Sequence, residues 1–151
     1  MKGSYLGPQF SNNEVSDFLQ NKGANFNHYS DEKIIDYTVQ EICNDKAIGW
    51  FQGKMEFGPR ALGNRSILAD PRNPNMKDII NKKIKRRESF RPFAPSILRD
   101  KSSEWFEEDY DVPFMMQVFQ VKESKKDLIP AVTHSDGSGR LQTVTAESNF
   151  K

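Results

Sequence analysis

Hydrophobic positions along this chain switch between a helical and a strand-like period, and the switches mark out its elements. From Ser11, "SNNEVSDFLQNKG" puts Val15, Phe18 and Leu19 on one face, with Ser11 and Glu14 at capping-box spacing and Gly23 as a stop, which predicts a short helix. "SDEKIIDYTVQEIC" repeats the plan, with Ser30 as cap and Ile34, Ile35, Val39 and Ile42 turned inward. The period then shortens. "AIGWFQ", Ala47 to Gln52, is an apolar and aromatic run of strand length that ends at Gly53, and "SILAD" predicts a second strand. Asn73 with Pro74 opens a third helix, with Met76, Ile79, Ile80 and Ile84 as its buried stripe and Lys77, Lys82, Lys83 and Lys85 on the wet side. "APSIL", "PFMMQVFQV" and "LQTV" predict further strands, and "SSEWFEE" a short helix. Strands mixed with helices predict a two-layer or three-layer α/β domain.

A chain of 151 residues is expected to form one domain, residues 1–151, with a core of its own. The single cysteine, Cys43, lies in the second helical run and reads as a small buried hydrophobe rather than a nucleophile. The start "MKGSYLGPQF" has no signal-peptide core, and no run approaches the ~18 apolar residues of a membrane span. A soluble cytoplasmic protein is expected, with no membrane partner. The polar end "TAESNFK" reads as a cut inside a longer protein.

Charge changes the picture. The net charge is only +1, yet between Lys54 and Arg91 eleven Lys and Arg face four acids, whereas Asp100 to Asp111 carries six acids and one lysine. A local excess of that kind favours a small anionic ligand over a nucleic-acid coat, which makes a whole domain basic.

Three stretches carry candidate chemistry. In "GKMEFGPRALGNRS", Gly53, Gly58 and Gly63 allow close backbone approach, Pro59 stiffens the turn that presents Arg60, and Lys54, Arg60 and Arg65 supply cations. Asn64 and Ser66 add neutral donors and acceptors. The set suits a phosphate flanked by a planar carbonyl or amide, though the spacing is not that of a Walker loop. The alternative is a surface turn whose arginines pair with Glu56 and Asp70. In "RESFRPFAPS", Pro92 and Pro95 hold an extended path that aims Arg91 and Ser96, with Phe90 and Phe93 as core anchors; the alternative is an Arg91–Glu88 ion pair. In "THSDGSGRLQTV", His134, Asp136 and Arg140 surround two glycines, a loop that suits a base, a metal ligand or a phosphate clamp. Its alternative is a turn in which Asp136 caps Ser138 or Gly139, and one histidine with one aspartate does not make a metal site by itself.

"GWFQGKMEFGPRALGNRSILADPR", "INKKIKRRESFRPFAPSIL" and "PAVTHSDGSGRLQTV" together resemble the C-terminal domain of the NodU/CmcH family of O-carbamoyltransferases, in family order from about Leu6 to the chain end. The resemblance implies a YrdC-like α/β fold, an open twisted mixed sheet with flanking helices. It also implies that the domain binds carbamoyl phosphate and ATP, with Mg²⁺ on the nucleotide phosphates, and forms carbamoyl adenylate with release of pyrophosphate. An actin-like ATPase-fold domain, in the same or a partner chain, then passes the carbamoyl group to a hydroxyl. By motif, Lys54, Arg60 and Asn64 hold carbamoyl phosphate, with Arg65, Ser66, Arg91 and Ser96 nearby and His134, Asp136 and Arg140 lining the same cleft; Lys54, Arg60 and Arg91 are the expected catalytic cations. The actin-like domain and the family's "NTSFN"-type segment are missing from these residues, so acceptor transfer is not assigned to them. An RNA-binding YrdC-like module, using the dense patch from Lys82 to Arg87, and a domain that only docks are the other readings.

Overall fold

Local signals set the first two helices. The Ser11 N–H donates to the Glu14 carboxylate at 2.7 Å while the Glu14 N–H donates to Ser11 Oγ, closing the capping box of α1 (Asn12–Asn21). Ser30 accepts from the Lys33 N–H at the start of α2 (Asp31–Cys43). The computed structural model describes residues 3–146, so the polar tail from Glu147 lies outside the described residues.

The inward face of α2 differs from the expected one. Ile35, Thr38 and Ile42 turn toward the protein, whereas Ile34 and Val39 are exposed. The helix packs on the four-residue strand β1 (Ile48–Phe51), a partner wide enough to cover only one narrow stripe. Cys43, at the end of that helix, is exposed rather than buried and accepts a hydrogen bond from the Arg72 guanidinium at 3.4 Å.

Strand β1 pairs antiparallel with β2 (Arg65–Leu68), with Phe51 opposite Arg65. The glycine-rich loop is therefore the connection of a hairpin, and both of its ends are fixed at one place. After β2 the chain forms α3 (Met76–Ile79), which widens into a π-helical turn over Ile80–Lys85 and stops at Arg86 with φ 49°. The extra residue per turn rotates the stripe. Asn81 becomes fully buried beside Ile80, and Ile84, expected in the stripe, is exposed.

Strand β3 (Ser96–Leu98) leads through a 3₁₀ turn into α4 (Ser102–Trp105). Strand β4 covers only Val118–Gln120, because Met115 at φ 53° breaks the longer apolar run. A 3₁₀ segment over Glu123–Leu128 then leads toward β5 (Ser138–Arg140) and β6 (Gln142–Val144). Strand β4 pairs antiparallel with β5, and β3 pairs parallel with β6. The fold is α/β with mixed pairing, as expected, and among the described residues its strands gather into three two-stranded ladders.

Two apolar clusters hold these pieces. Phe106, Val112, Phe119, Val121, Ile129, Val132 and Leu141 form the larger, and Met76, Ile80 and Ala131 the smaller; Phe93 packs against both. Phe90, expected to anchor the same stretch, is instead 76% exposed. No helix among the described residues is long and apolar enough to cross a membrane.

Candidate anion-binding site

A buried acid organises the glycine-rich loop. Glu56 Oε1 accepts the N–H groups of Leu62 and Asn64 at 2.7 Å and of Arg65 at 3.2 Å, so it pairs with backbone rather than with an arginine. Burial works to raise its carboxyl, but these N–H donors together outweigh burial and hold it below the ordinary carboxylate value. Asp70, the other acid weighed as a partner for the loop, pairs with Arg72.

The loop's polar side chains divide into two groups. Asn64 is buried, donating to the Lys54 carbonyl at 2.7 Å and accepting from Gln52 Nε2 at 3.2 Å. Arg65 donates to four carbonyls, those of Gln52, Asn64, Gly53 and Pro8, and lies 3.5 Å over the Phe51 ring. Ser66 Oγ accepts from the Gly63 N–H. These three side chains brace the loop. Gly53, at φ 47°, belongs to the same brace, since a Cβ there would sit 3.3 Å from the Asn64 amide. Lys54 is exposed at the loop's edge, and its carbonyl accepts from Asn64. Arg60 belongs to the second group: its Nε is enclosed and has no partner among the described residues.

The three sequence motifs meet at Gln142. Its Nε2 donates to the Leu62 carbonyl at 3.0 Å, its Oε1 accepts from Ser96 Oγ at 3.2 Å, and its N–H donates to the Pro95 carbonyl. Tyr5 Oη donates to the same Leu62 carbonyl. A single buried glutamine thus ties the loop to β3 and β6 and fixes where Arg60 and Arg140 stand relative to each other.

Arg140 projects from β5 and is half-buried, and its Nε is also enclosed without a partner among the described residues. Burial drives its guanidinium below its ordinary value, and the positive charges of Arg60 and Arg87 push the same way. Arg60 and Arg87 thus each lie near enough to Arg140 to repel it, and none of the three forms an ion pair among the described residues, although the Glu88 carboxylate acts on Arg87 from farther off.

Sequence reasoning did not single out Arg87. It is placed by the π-helical turn: its Nε donates to Asn81 Oδ1 at 2.7 Å, and its guanidinium lies 5.0 Å from the centre of the Phe93 ring. Asn81 is held in turn by donating to the Ser89 and Arg91 carbonyls. Arg91 contributes that carbonyl, while its side chain forms the exposed 3.0 Å ion pair with Glu88 that was the alternative reading.

His134 and Asp136 stand in the turn that leads into β5, near Arg140. Asp136 Oδ1 accepts from the Ser138 N–H at 3.0 Å and from Ser138 Oγ at 2.6 Å, capping the turn. His134 Nδ1 lies 3.0 Å from Ser138 Oγ, and its Nε2 is enclosed without a partner among the described residues. Burial lowers the imidazole's proton affinity; Asp136 opposes this, and Arg140 and Lys77 reinforce it. Lys77, which the helical pattern put on the wet side, is thus a neighbour of the site. Among the described residues no three His, Cys, Asp or Glu side chains gather where they would hold a metal ion.

The carbamoyltransferase C-terminus family matches residues 39–151. Three relatives extend the match to nearly the whole chain. The uncharacterized protein sll1178 of Synechocystis is 43% identical over 99% of this chain and 28% of its own length. Nodulation protein NolO of Bradyrhizobium diazoefficiens is 44% identical over 96% of this chain and 27% of its own, and nodulation protein NolNO of Sinorhizobium fredii 46% over 96% and 22%. The chain spans about a quarter of the length of these relatives. It therefore belongs to the carbamoyltransferase C-terminus family, as a portion of what in its relatives is a larger protein.

Proposed function

We propose that this domain, residues 1–151, binds carbamoyl phosphate together with ATP and forms carbamoyl adenylate, releasing pyrophosphate, for transfer to a hydroxyl by a separate actin-like ATPase-fold domain in the same or a partner chain. One observation carries the reading: Arg60 and Arg87, from two distant stretches, both bear on the half-buried Arg140, and none of the three forms a direct ion pair among the described residues, although Glu88 acts on Arg87 from farther off. Bringing guanidinium groups together costs free energy, and a dianion recovers it. Planar forks suit phosphate oxygens, two N–H donors to each phosphate edge.

The braced loop explains how the site acts. Glu56, Asn64, Arg65 and Ser66 hold the turn that presents Arg60, and Asn81 holds Arg87, so the cations are in place before substrate arrives. Donors fixed in advance stabilise charge that develops in a reaction without reorganising. Lys54, exposed, and Arg91, exposed and ion-paired with Glu88, are the cations we assign to the nucleotide phosphates. The Mg²⁺ that accompanies ATP is read as part of the substrate, coordinated by phosphate oxygens and water.

Calorimetry with carbamoyl phosphate tests the reading. Wild type is expected to bind and Arg60→Ala to bind about a hundredfold more weakly, the worth of a charge-assisted fork. With Mg-ATP and carbamoyl phosphate, ATP/pyrophosphate exchange is expected from the wild-type chain. Binding without exchange would leave a carbamoyl phosphate site that needs the rest of the protein for chemistry. No binding by wild type, with RNA affinity that falls steeply with salt and survives Arg60→Ala, would replace the reading by a nucleic-acid one.

A further inference from the structure

The proton positions around His134 follow from its partners. Asp136 Oδ1 accepts from both the N–H and the hydroxyl of Ser138, contacts that hold its carboxyl below the ordinary value, so the carboxylate has no proton to give. The single hydroxyl proton of Ser138 points to Asp136, at 2.6 Å. What Ser138 Oγ then offers His134 Nδ1, 3.0 Å away, is a lone pair, so Nδ1 carries the imidazole proton. In the neutral ring Nε2 is left as a bare acceptor. It is enclosed and has no donor among the described residues, although the cations Arg140 and Lys77 are near and Asp136 is the only acid acting on the ring. A buried acceptor without a donor costs stability unless a ligand completes it.

Resting on the anion-site reading above, we propose that His134 is a specificity-determining residue whose Nε2 accepts an N–H from the carbamoyl NH₂, so that the site distinguishes carbamoyl phosphate from acetyl phosphate. The two anions share charge and shape. They differ in placing an amide NH₂ or a methyl on the carbon that bears the phosphate. Nε2 is enclosed, so neighbouring side chains must move aside as the ligand enters, and a donor that arrives there does not compete with bulk water. The methyl group leaves Nε2 unpaired.

The test is titration calorimetry of this chain with carbamoyl phosphate, acetyl phosphate and inorganic phosphate, for wild type, His134→Leu and His134→Gln. Wild type is expected to prefer carbamoyl over acetyl phosphate by about tenfold, the worth of one buried hydrogen bond. His134→Leu is expected to bring that ratio to about one while still binding inorganic phosphate, and His134→Gln, whose amide reaches a similar point, to restore part of it. A measurement without substitution tests the same result: the wild-type ratio should fall toward one as pH is lowered below the ordinary imidazole value of 6.5 through the depressed value of His134, because a protonated Nε2 donates instead of accepting. A ratio near one in wild type, or a ratio unchanged by His134→Leu and by pH, overturns the assignment while the anion site stands. Failure of wild type to bind any of the three anions overturns the anion site and this assignment with it. If His134→Leu binds nothing at all, the wild-type pH series decides.

Discussion

The N-terminal helices and the arginine cluster reverse each other's use of polarity. Helices α1 and α2 are amphipathic by sequence, yet α1 buries no residue and α2 only Thr38, leaving Phe18 60% and Val39 55% exposed. Around the cluster, polar side chains go inside: Glu56, Asn64, Asn81 and Gln142 are all buried with hydrogen-bond partners, the first three within their own loop or turn and Gln142 across the chain. The apolar faces outside do little to hold this domain together, whereas the polar interior determines where Arg60, Arg87 and Arg140 point. The family match begins at residue 39, inside α2, and so covers the second region and not most of the first.

The sharpest way to break that contrast is at Glu56. Glu56→Ala removes the acceptor of three N–H groups and leaves two of them buried, which is expected to cost about 3 kcal/mol in urea unfolding. The pH dependence follows from the lowered carboxyl. Its stabilising contribution is complete above the ordinary value of 4.5 and is lost as pH falls from there through the depressed folded value. Wild type should therefore lose stability on acidification below about pH 4.5 more steeply than Glu56→Gln, whose amide keeps an acceptor but cannot titrate. Parallel curves for the two proteins would mean that another acid dominates.

Arg140 sharpens the comparison from the other side. Since Arg60 and Arg87 repel it and no carboxylate among the described residues offsets it, Arg140→Met is expected to leave the thermal midpoint unchanged or raise it by a few degrees, worth about 1 kcal/mol at most. Millimolar phosphate should raise the wild-type midpoint and leave that of Arg140→Met nearly fixed, because only a bound anion relieves the repulsion. A variant that is both destabilised and still shifted by phosphate would show that Arg140 serves packing rather than anion binding.

What the sequence revealed depended on how local each cause is. Ser11 with Glu14 and Ser30 with Lys33 lie within one turn, so both helix starts were legible, and the glycines and Pro59 marked the loop that presents Arg60. The choice between Arg87 and Arg91 was not legible. It depends on the π-helical turn, which buries Asn81 and exposes Ile84, and on an Asn81 amide that clasps carbonyls eight and ten residues on. Strand β5, "SGR", has no apolar or β-branched residue to announce it; it exists because β4 pairs with it and Phe106 lies against Gly139. Gln142 looked like any polar strand residue, since its partners Leu62 and Ser96 are 80 and 46 residues away. Helix α2 misled in the opposite sense, because a regular apolar period says nothing about whether a partner is present to cover it.

The smallest expected effect completes the contrast. Phe18→Ser changes a ring that is 60% exposed, with Lys22 Nζ 5.9 Å from the ring centre. Little apolar surface is removed from water there, so unfolding of this chain should shift by less than about 0.5 kcal/mol, and anion affinity not at all. The same substitution at Phe119, which is completely buried against Phe106 and Tyr110, would leave a large cavity with a hydroxyl in it and is expected to unfold the domain. Should Phe18→Ser instead cost 2 kcal/mol or more, on the scale of a core truncation, α1 would be contributing to the stability of this domain, and the division drawn between its two regions would have to be abandoned.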